Sequence, residues 1–165
     1  MTPIELCSRA LLKVGARPIT SFDDGTVESG VASSLYPMVR DGLLSAHPWS
    51  FAIDESTLVL DQRTGDLPLP VDCLRVLSVD TDGVPYRIRG RRVETDAPEP
   101  ITMTYIARPN EIDFPPFFSL ALIARLAAEC CIPLTDSTSR WEGLQKMADI
   151  ELRHAKLTDT GESCR

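Results

Sequence analysis

Phe117-Phe-Ser-Leu-Ala-Leu-Ile-Ala-Arg-Leu-Ala-Ala-Glu-Cys-Cys-Ile132 decides the fold, because it carries only two charges, Arg125 and Glu129, four positions apart. A helix this apolar around its whole circumference has to be covered on all sides. It follows Phe114-Pro115-Pro116, and Pro133 is expected to end it. Downstream, Asp136 or Ser137 starts a further helix with Trp141, Leu144, Ala148, Leu152 and Ala155 on one stripe. The remaining residues, Asp159 to Arg165, read as a short polar tail, mobile in the free protein.

Working toward the N-terminus, two more helices supply the cover. Thr2-Pro3-Ile4-Glu5 has capping-box spacing with proline at the first helical position. Ile4, Cys7, Leu11 and Val14 then recur at helical intervals until Gly15. A loop over 16–25, polar apart from Ile19 and Phe22, ends in Asp23-Asp24-Gly25. The second helix runs from about Thr26 to Ala46, with Val27, Val31, Leu35, Val39, Gly42, Leu43 and Ala46 as its inner stripe. Pro37 predicts a kink or break near Tyr36, and His47-Pro48-Trp49 ends the helix.

Between the helix pairs the period changes to two. Thr57–Leu60 and Leu74–Asp80 read as strands. Val84, Tyr86 and Ile88 alternate with Arg87 and Arg89, Gly90 marks a tight turn, and Arg92–Thr95 returns. Ile101, Met103, Tyr105 and Ala107 form a last strand. The expected class is α+β: an antiparallel bundle of two N-terminal and two C-terminal helices with one small antiparallel sheet inserted. As a single domain over 1–165, it has helices over about 3–46 and 115–157, a β-rich insertion over about 50–108 and a tail over 158–165.

The balance of 165 residues, 43% hydrophobic and 25% charged, suits a globular domain able to bury a core. A formal charge of −7 repels phosphate and argues against a DNA-reading protein. No stretch is expected to reach the roughly 18 apolar residues that span a bilayer. The N-terminus lacks a basic segment followed by an apolar run, so neither a signal peptide nor a membrane partner is expected. Five cysteines, Cys7, Cys73, Cys130, Cys131 and Cys164, form no CxxC pair, and the odd count points to reduced thiols. No metal, cofactor or catalytic residue is expected.

Nothing in the chain reads GxSxG, GxGxxG, HExxH or as a phosphate-binding glycine loop. Asp23 and Asp24 read as a solvated turn, and His154 as a surface residue. His47 reads as closing a helix C-terminus rather than as a general base, since no nucleophile stands at a recognisable spacing. The unusual charge feature is Arg87, Arg89, Arg91 and Arg92 around Gly90, a basic knob in an acidic chain. It is either a solvated hairpin that discourages strand addition or a contact for a partner's carboxylates or for nucleic acid phosphate. Little aromatic interleaving, with Tyr86 alone nearby, favours a protein partner over nucleic acid.

Three blocks carry a resemblance. Ser33-Ser-Leu-Tyr-Pro-Met-Val-Arg-Asp-Gly-Leu-Leu-Ser-Ala-His-Pro-Trp-Ser-Phe-Ala52 is the first. Leu69-Pro-Val-Asp-Cys-Leu-Arg-Val-Leu, followed by Tyr86-Arg-Ile-Arg-Gly-Arg and Glu94-Thr-Asp, is the second. Phe114-Pro-Pro-Phe-Phe with Leu126-Ala-Ala-Glu-Cys-Cys-Ile-Pro-Leu-Thr135 is the third. In their order and spacing these resemble the head-to-tail adaptors of short-tailed bacteriophages, the tail tubular protein A family. The resemblance implies a ring, typically of twelve copies, between the portal protein and the tail nozzle protein in the virion, made in the host cytoplasm. DNA passes through its lumen without sequence-specific binding. Family members usually reach toward the portal with a C-terminal segment, which is short here.

Two rival readings remain at this level. One is a non-enzymatic α+β module that binds a ligand or protein between sheet and helices. The other is a cell-wall hydrolase, for which Glu28, Asp41 and Glu55 are the available carboxylates.

Overall fold

The computed structural model describes residues 1–163, an α+β chain of four helices and two small antiparallel sheets. Its contacts divide it into two compact units, Met1–Phe51 with Pro109–Arg165, and Ala52–Arg108.

The helical unit is organised by α3, Pro116–Thr135, which packs against α1, α2 and α4. Phe118, Ala121, Leu122, Ile123, Leu126, Ala127 and Cys130 are buried around most of its circumference, while Leu120 and Ile132 remain exposed. With a mean hydropathy of 1.8, α3 is long and apolar enough to cross a membrane, contrary to the expectation above. Yet 61% of that apolar window is buried inside the protein, so packing against the other helices accounts for it without lipid. Pro133 does not end the helix. It sits in the last turn, and α3 stops three residues later at Asp136, whose φ of 51° is left-handed and whose N–H bonds to Ile132 O at 3.0 Å.

Helix α1, Pro3–Val14, begins with the expected capping box, Glu5 N–H donating to Thr2 Oγ1 at 3.2 Å and Thr2 N–H to Glu5 Oε2 at 2.7 Å. Gly15 ends it at φ 88°, a conformation glycine reaches without the Cβ penalty. Helix α2, Val27–Ser45, runs unbroken through Pro37. Its covered row is Ala32, Tyr36, Val39 and Leu43, one position removed from much of the expected stripe; Val27, Gly42 and Ala46 are exposed. The helix carries two apolar rows, and Tyr36 turns the inward one by offering a hydroxyl that needs a buried acceptor.

Trp49, fully buried, seals the chain's exit from α2. Its Nε1 donates to Leu43 O at 3.0 Å, and its ring meets Phe118 edge-on at 5.2 Å. Phe51 and Phe114 pack on the same Phe118 at 5.0 and 4.9 Å. Burying a side chain of this size stabilises by roughly 1.5–3 kcal/mol each. Helix α4, Thr138–Ser163, continues well beyond the expected end, so the segment read as a mobile tail from Asp159 is helical through Ser163. Cys164 and Arg165 lie outside the described residues. Leu144 and Ala148 of α4 meet Ala124 and Ala128 of α3, where small side chains let two helices approach closely.

The second unit holds two three-stranded sheets where one was expected. In the first, β1 (Ile53–Leu58) and β3 (Arg75–Asp80) flank β6 (Ile101–Ile106). In the second, β2 (Leu67–Pro68) and β4 (Tyr86–Arg89) flank β5 (Arg92–Thr95). Ile101, Met103 and Tyr105 alternate inward along β6 and share a core with Leu58, Leu67, Val79 and Val93 from both sheets. From the surface, Arg91 holds the loop between β2 and β3 through the carbonyls of Pro70, Val71 and Cys73.

Candidate protein-interaction surface

The hairpin of β4 and β5 turns at Gly90, φ 60°, with Arg89 opposite Arg92 and Ile88 opposite Val93. Val93 is buried, while all four residues of β4 are exposed. β4 is also an edge strand, so its backbone faces outward on one side, and charged side chains along such an edge deter uncontrolled pairing.

The four arginines divide into two pairs with different work. Arg91 donates to the carbonyls of Cys73 (3.2 Å), Val71 (3.3 Å) and Pro70, gathering one loop around a single guanidinium. Arg92 Nη1 pairs with Asp66 Oδ2 at 2.5 Å, beside the β2–β5 pairing. Arg89 meets Glu94 only at 3.6 Å with its side chain 68% exposed, a contact of small worth in water. Arg87 has no ion pair or hydrogen bond among the described residues. All four arginines are exposed, and those least tied to the rest of the chain are Arg87 and Arg89, beside Tyr86 and Ile88, both more than two-fifths exposed.

Polar groups around Asp159, Glu111 and Asp24 tie parts of the helical unit together. Asp159 of α4 is buried and accepts the Ser50 hydroxyl at 2.6 Å and the Ser50 N–H at 3.1 Å. His47 Nε2 stands 3.4 Å from its other oxygen, with the ring edge-on to Trp49 at 4.7 Å. A nucleophilic triad needs the base between the hydroxyl and the acid. Here the carboxylate is in the middle and anchors both, so His47 serves the HPW turn rather than a reacting hydroxyl. Sequence reading placed Asp159 in a polar tail and missed it; the signal was its position four residues after Ala155, continuing the α4 stripe.

The second cluster joins α2 to the 3-10 turn Glu111–Asp113. Tyr36 Oη and Arg40 Nη1 donate to Glu111 Oε1 at 2.9 and 2.8 Å, and Arg40 Nε donates to Asp41 at 2.8 Å. Burial pushes the Glu111 carboxyl up, but the bonds from Arg40 and Tyr36 outweigh it and hold the group below the usual range. Burial and the Glu111 carboxylate push the Tyr36 phenol far up. The third cluster is Asp24, which accepts the Thr26 hydroxyl at 2.6 Å and the Thr26 N–H at 3.1 Å; these bonds hold its carboxyl down at about 2. Asp23 and Asp24 thus shape the loop that leads into Thr26, the N-cap of α2.

Of the carboxylates considered for hydrolysis, two are on α2 and one is on β1. Asp41 pairs with Arg40, Glu28 lies in the first turn of α2, and Glu55 is exposed on β1. Among the described residues no three His, Cys, Asp or Glu side chains group as metal ligands. His154 is exposed on α4, as read.

These clusters fasten elements to one another, and exposed surface remains on the edge hairpin and along the helices. The family model for tail tubular protein matches residues 6–109, more than half of the chain, and the chain belongs to that family. It is a family of phage tail structural proteins, associated with the virion and with other tail components, and not of enzymes. No curated protein matches the chain.

Proposed function

We propose that this chain is the head-to-tail adaptor subunit of a tailed phage or prophage, forming a ring, of about twelve copies by its resemblance, between portal protein and tail nozzle protein. DNA crosses the ring during ejection. The family match over 6–109 carries the reading, since the residues matched include the α2 to HPW block and the whole β unit.

Physical chemistry makes the role coherent. An acidic subunit of net charge −7 disfavours adhesion of the passing duplex, whose phosphates it repels. Arg87 and Arg89, held out on an edge strand, suit the carboxylates of a neighbouring protein, where paired charges set register more than they add affinity. Arg91 and Arg92 serve that surface by keeping the hairpin in place.

The deciding experiment mixes the purified protein with portal rings of the same phage and images the product. An added ring on each portal is expected, together with loss of nozzle attachment in Arg87→Glu/Arg89→Glu. Portals that stay bare across a range of salt would overturn the reading.

A further inference from the structure

Among the described residues four strands stand at sheet edges, β1 and β3 in one sheet and β2 and β4 in the other. An edge strand presents main-chain donors and acceptors that invite another strand, and three of these edges are blunted. On β1 the Asp54 carboxylate takes the Glu55 N–H at 2.8 Å. The pairing of β3 is broken by a register shift between Val76 and Ser78, the mark of a bulge. β2 is two residues long, and Pro68 has no N–H to give.

Among the described residues β4 carries no such block. Arg89 and Arg92 close a two-residue turn, so they exchange main-chain bonds, and so do Arg87 and Glu94 two steps on. The N–H and C=O groups of Tyr86 and Ile88 therefore point away from β5, toward the open edge. Side chains follow the same alternation. Tyr86 and Ile88 share the face of buried Val93 yet stay 42% and 43% exposed, while Arg87 and Arg89 project from the opposite face. On that face Arg92 is taken by Asp66, and Arg89 reaches Glu94 only at 3.6 Å. Arg87 has no ion pair among the described residues.

We propose that β4 receives an added strand from a neighbouring protein, an extended segment with carboxylates at alternate positions and apolar side chains between them. Its main chain bonds to Tyr86 and Ile88, its carboxylates face Arg87 and Arg89, and its apolar residues cover the Tyr86 and Ile88 side chains. This rests on the assembly reading above and names how the hairpin holds its neighbour. In such strand addition the main chain supplies affinity and the alternate side chains supply specificity. The occupant is not a second β4, because that pairing lays arginine beside arginine. The chain's other edges, on β1, β2 and β3, are the blunted ones. Asp96, just past the end of β5, is the like charge nearest the contact.

The test offers the full, isotope-labelled protein a heptapeptide of alternating glutamate and valine and follows amide exchange by NMR. Exchange should slow at Tyr86 and Ile88, with little change at Arg87 and Arg89, whose N–H groups already bond to β5. A lysine-for-glutamate peptide should bind at least about tenfold more weakly. Methylating one alternate set of peptide amides should abolish binding, and methylating the other set should spare it. In the protein, Ile88→Pro removes an outward N–H without costing a bond to β5 and should abolish binding with unchanged circular dichroism. No slowed exchange at about millimolar peptide, or equal binding by the two methylated peptides, overturns strand addition. So does binding lost in Arg87→Glu/Arg89→Glu but kept in Ile88→Pro, which would make the contact one of charge alone. Portals that gain both ring and nozzle normally with Ile88→Pro protein overturn the added strand while leaving the adaptor reading intact. Peptide pairing on β4 by protein that never binds portals supports the strand and sinks the adaptor reading instead.

Discussion

Asp159 accepts both the hydroxyl and the backbone N–H of Ser50, at 2.6 and 3.1 Å, 109 positions away in the chain. This joins the end of α4 to the HPW turn leaving α2. Deleting a buried carboxylate that serves two donors costs the charge-assisted bonds it accepts, although the donors of exposed Ser50 can turn to water instead.

Asp159→Ala should therefore destabilise the protein by roughly 1–3 kcal/mol. Asp159→Asn, which keeps one acceptor oxygen, should cost less. A chain ending at Thr158 should be as unstable as Asp159→Ala. Urea unfolding of the three variants checks the order, and a Thr158 truncation as stable as the full chain would show that the contact contributes nothing.

Arginines of the hairpin should separate by assay. Arg91→Ala strips three carbonyls of their shared donor and should lower stability by about 1 kcal/mol. Arg87→Ala removes no internal contact and should leave the unfolding midpoint unchanged while weakening nozzle attachment. Equal loss of stability in both variants would mean that the two arginines do the same work.

That division was out of reach of the sequence, and the reason is physical. Arg87, Arg89, Arg91 and Arg92 look alike as a charge run, but their roles depend on carbonyls at Pro70 and Cys73 that the fold brings near. Local signals read well: the Thr2–Glu5 box, the strand Arg92–Thr95 and the apolar α3 all form where periodicity and capping put them. On α2 two apolar rows compete, and period alone cannot tell which one the fold covers. β1 begins at Ile53 through residues exposed on both faces, so it shows no alternation. β2 is only two residues long, too short for any period, and with it the second sheet was missed.

The bond from Arg40 to Glu111, helped by the one from Tyr36, makes stability depend on acid. The Glu111 carboxyl sits below its ordinary value in the folded protein, so its contribution is fully present above the unfolded pKa. It is lost as pH falls through the lower, folded one. The affected window lies below about pH 4–5. Glu111→Gln keeps an acceptor for Tyr36 but no charge for Arg40, and should flatten the acid limb of a stability–pH curve. Parallel limbs for the two proteins between about pH 5 and 3 would place the acid sensitivity elsewhere.

Thiol chemistry offers an independent probe of the helical core. Burial pushes the Cys7 thiol up to about 12 and the Cys130 thiol up to about 11, with each lying among apolar side chains of α1 and α3. Only the thiolate attacks an alkylating reagent, and at pH 8 such groups are almost entirely protonated as well as shielded. With Cys164 replaced by Ser, the native protein should show no fast-reacting thiol, and all four should react at once in urea. Substituting fully buried Leu122→Ala, which opens a cavity in the helical core at a cost of about 2–5 kcal/mol, should speed labelling of Cys7, Cys130 and Cys131 by raising the population of open forms. Rapid labelling of Cys7 or Cys130 in the native protein would mean that α3 is not enclosed as its packing against α1, α2 and α4 requires.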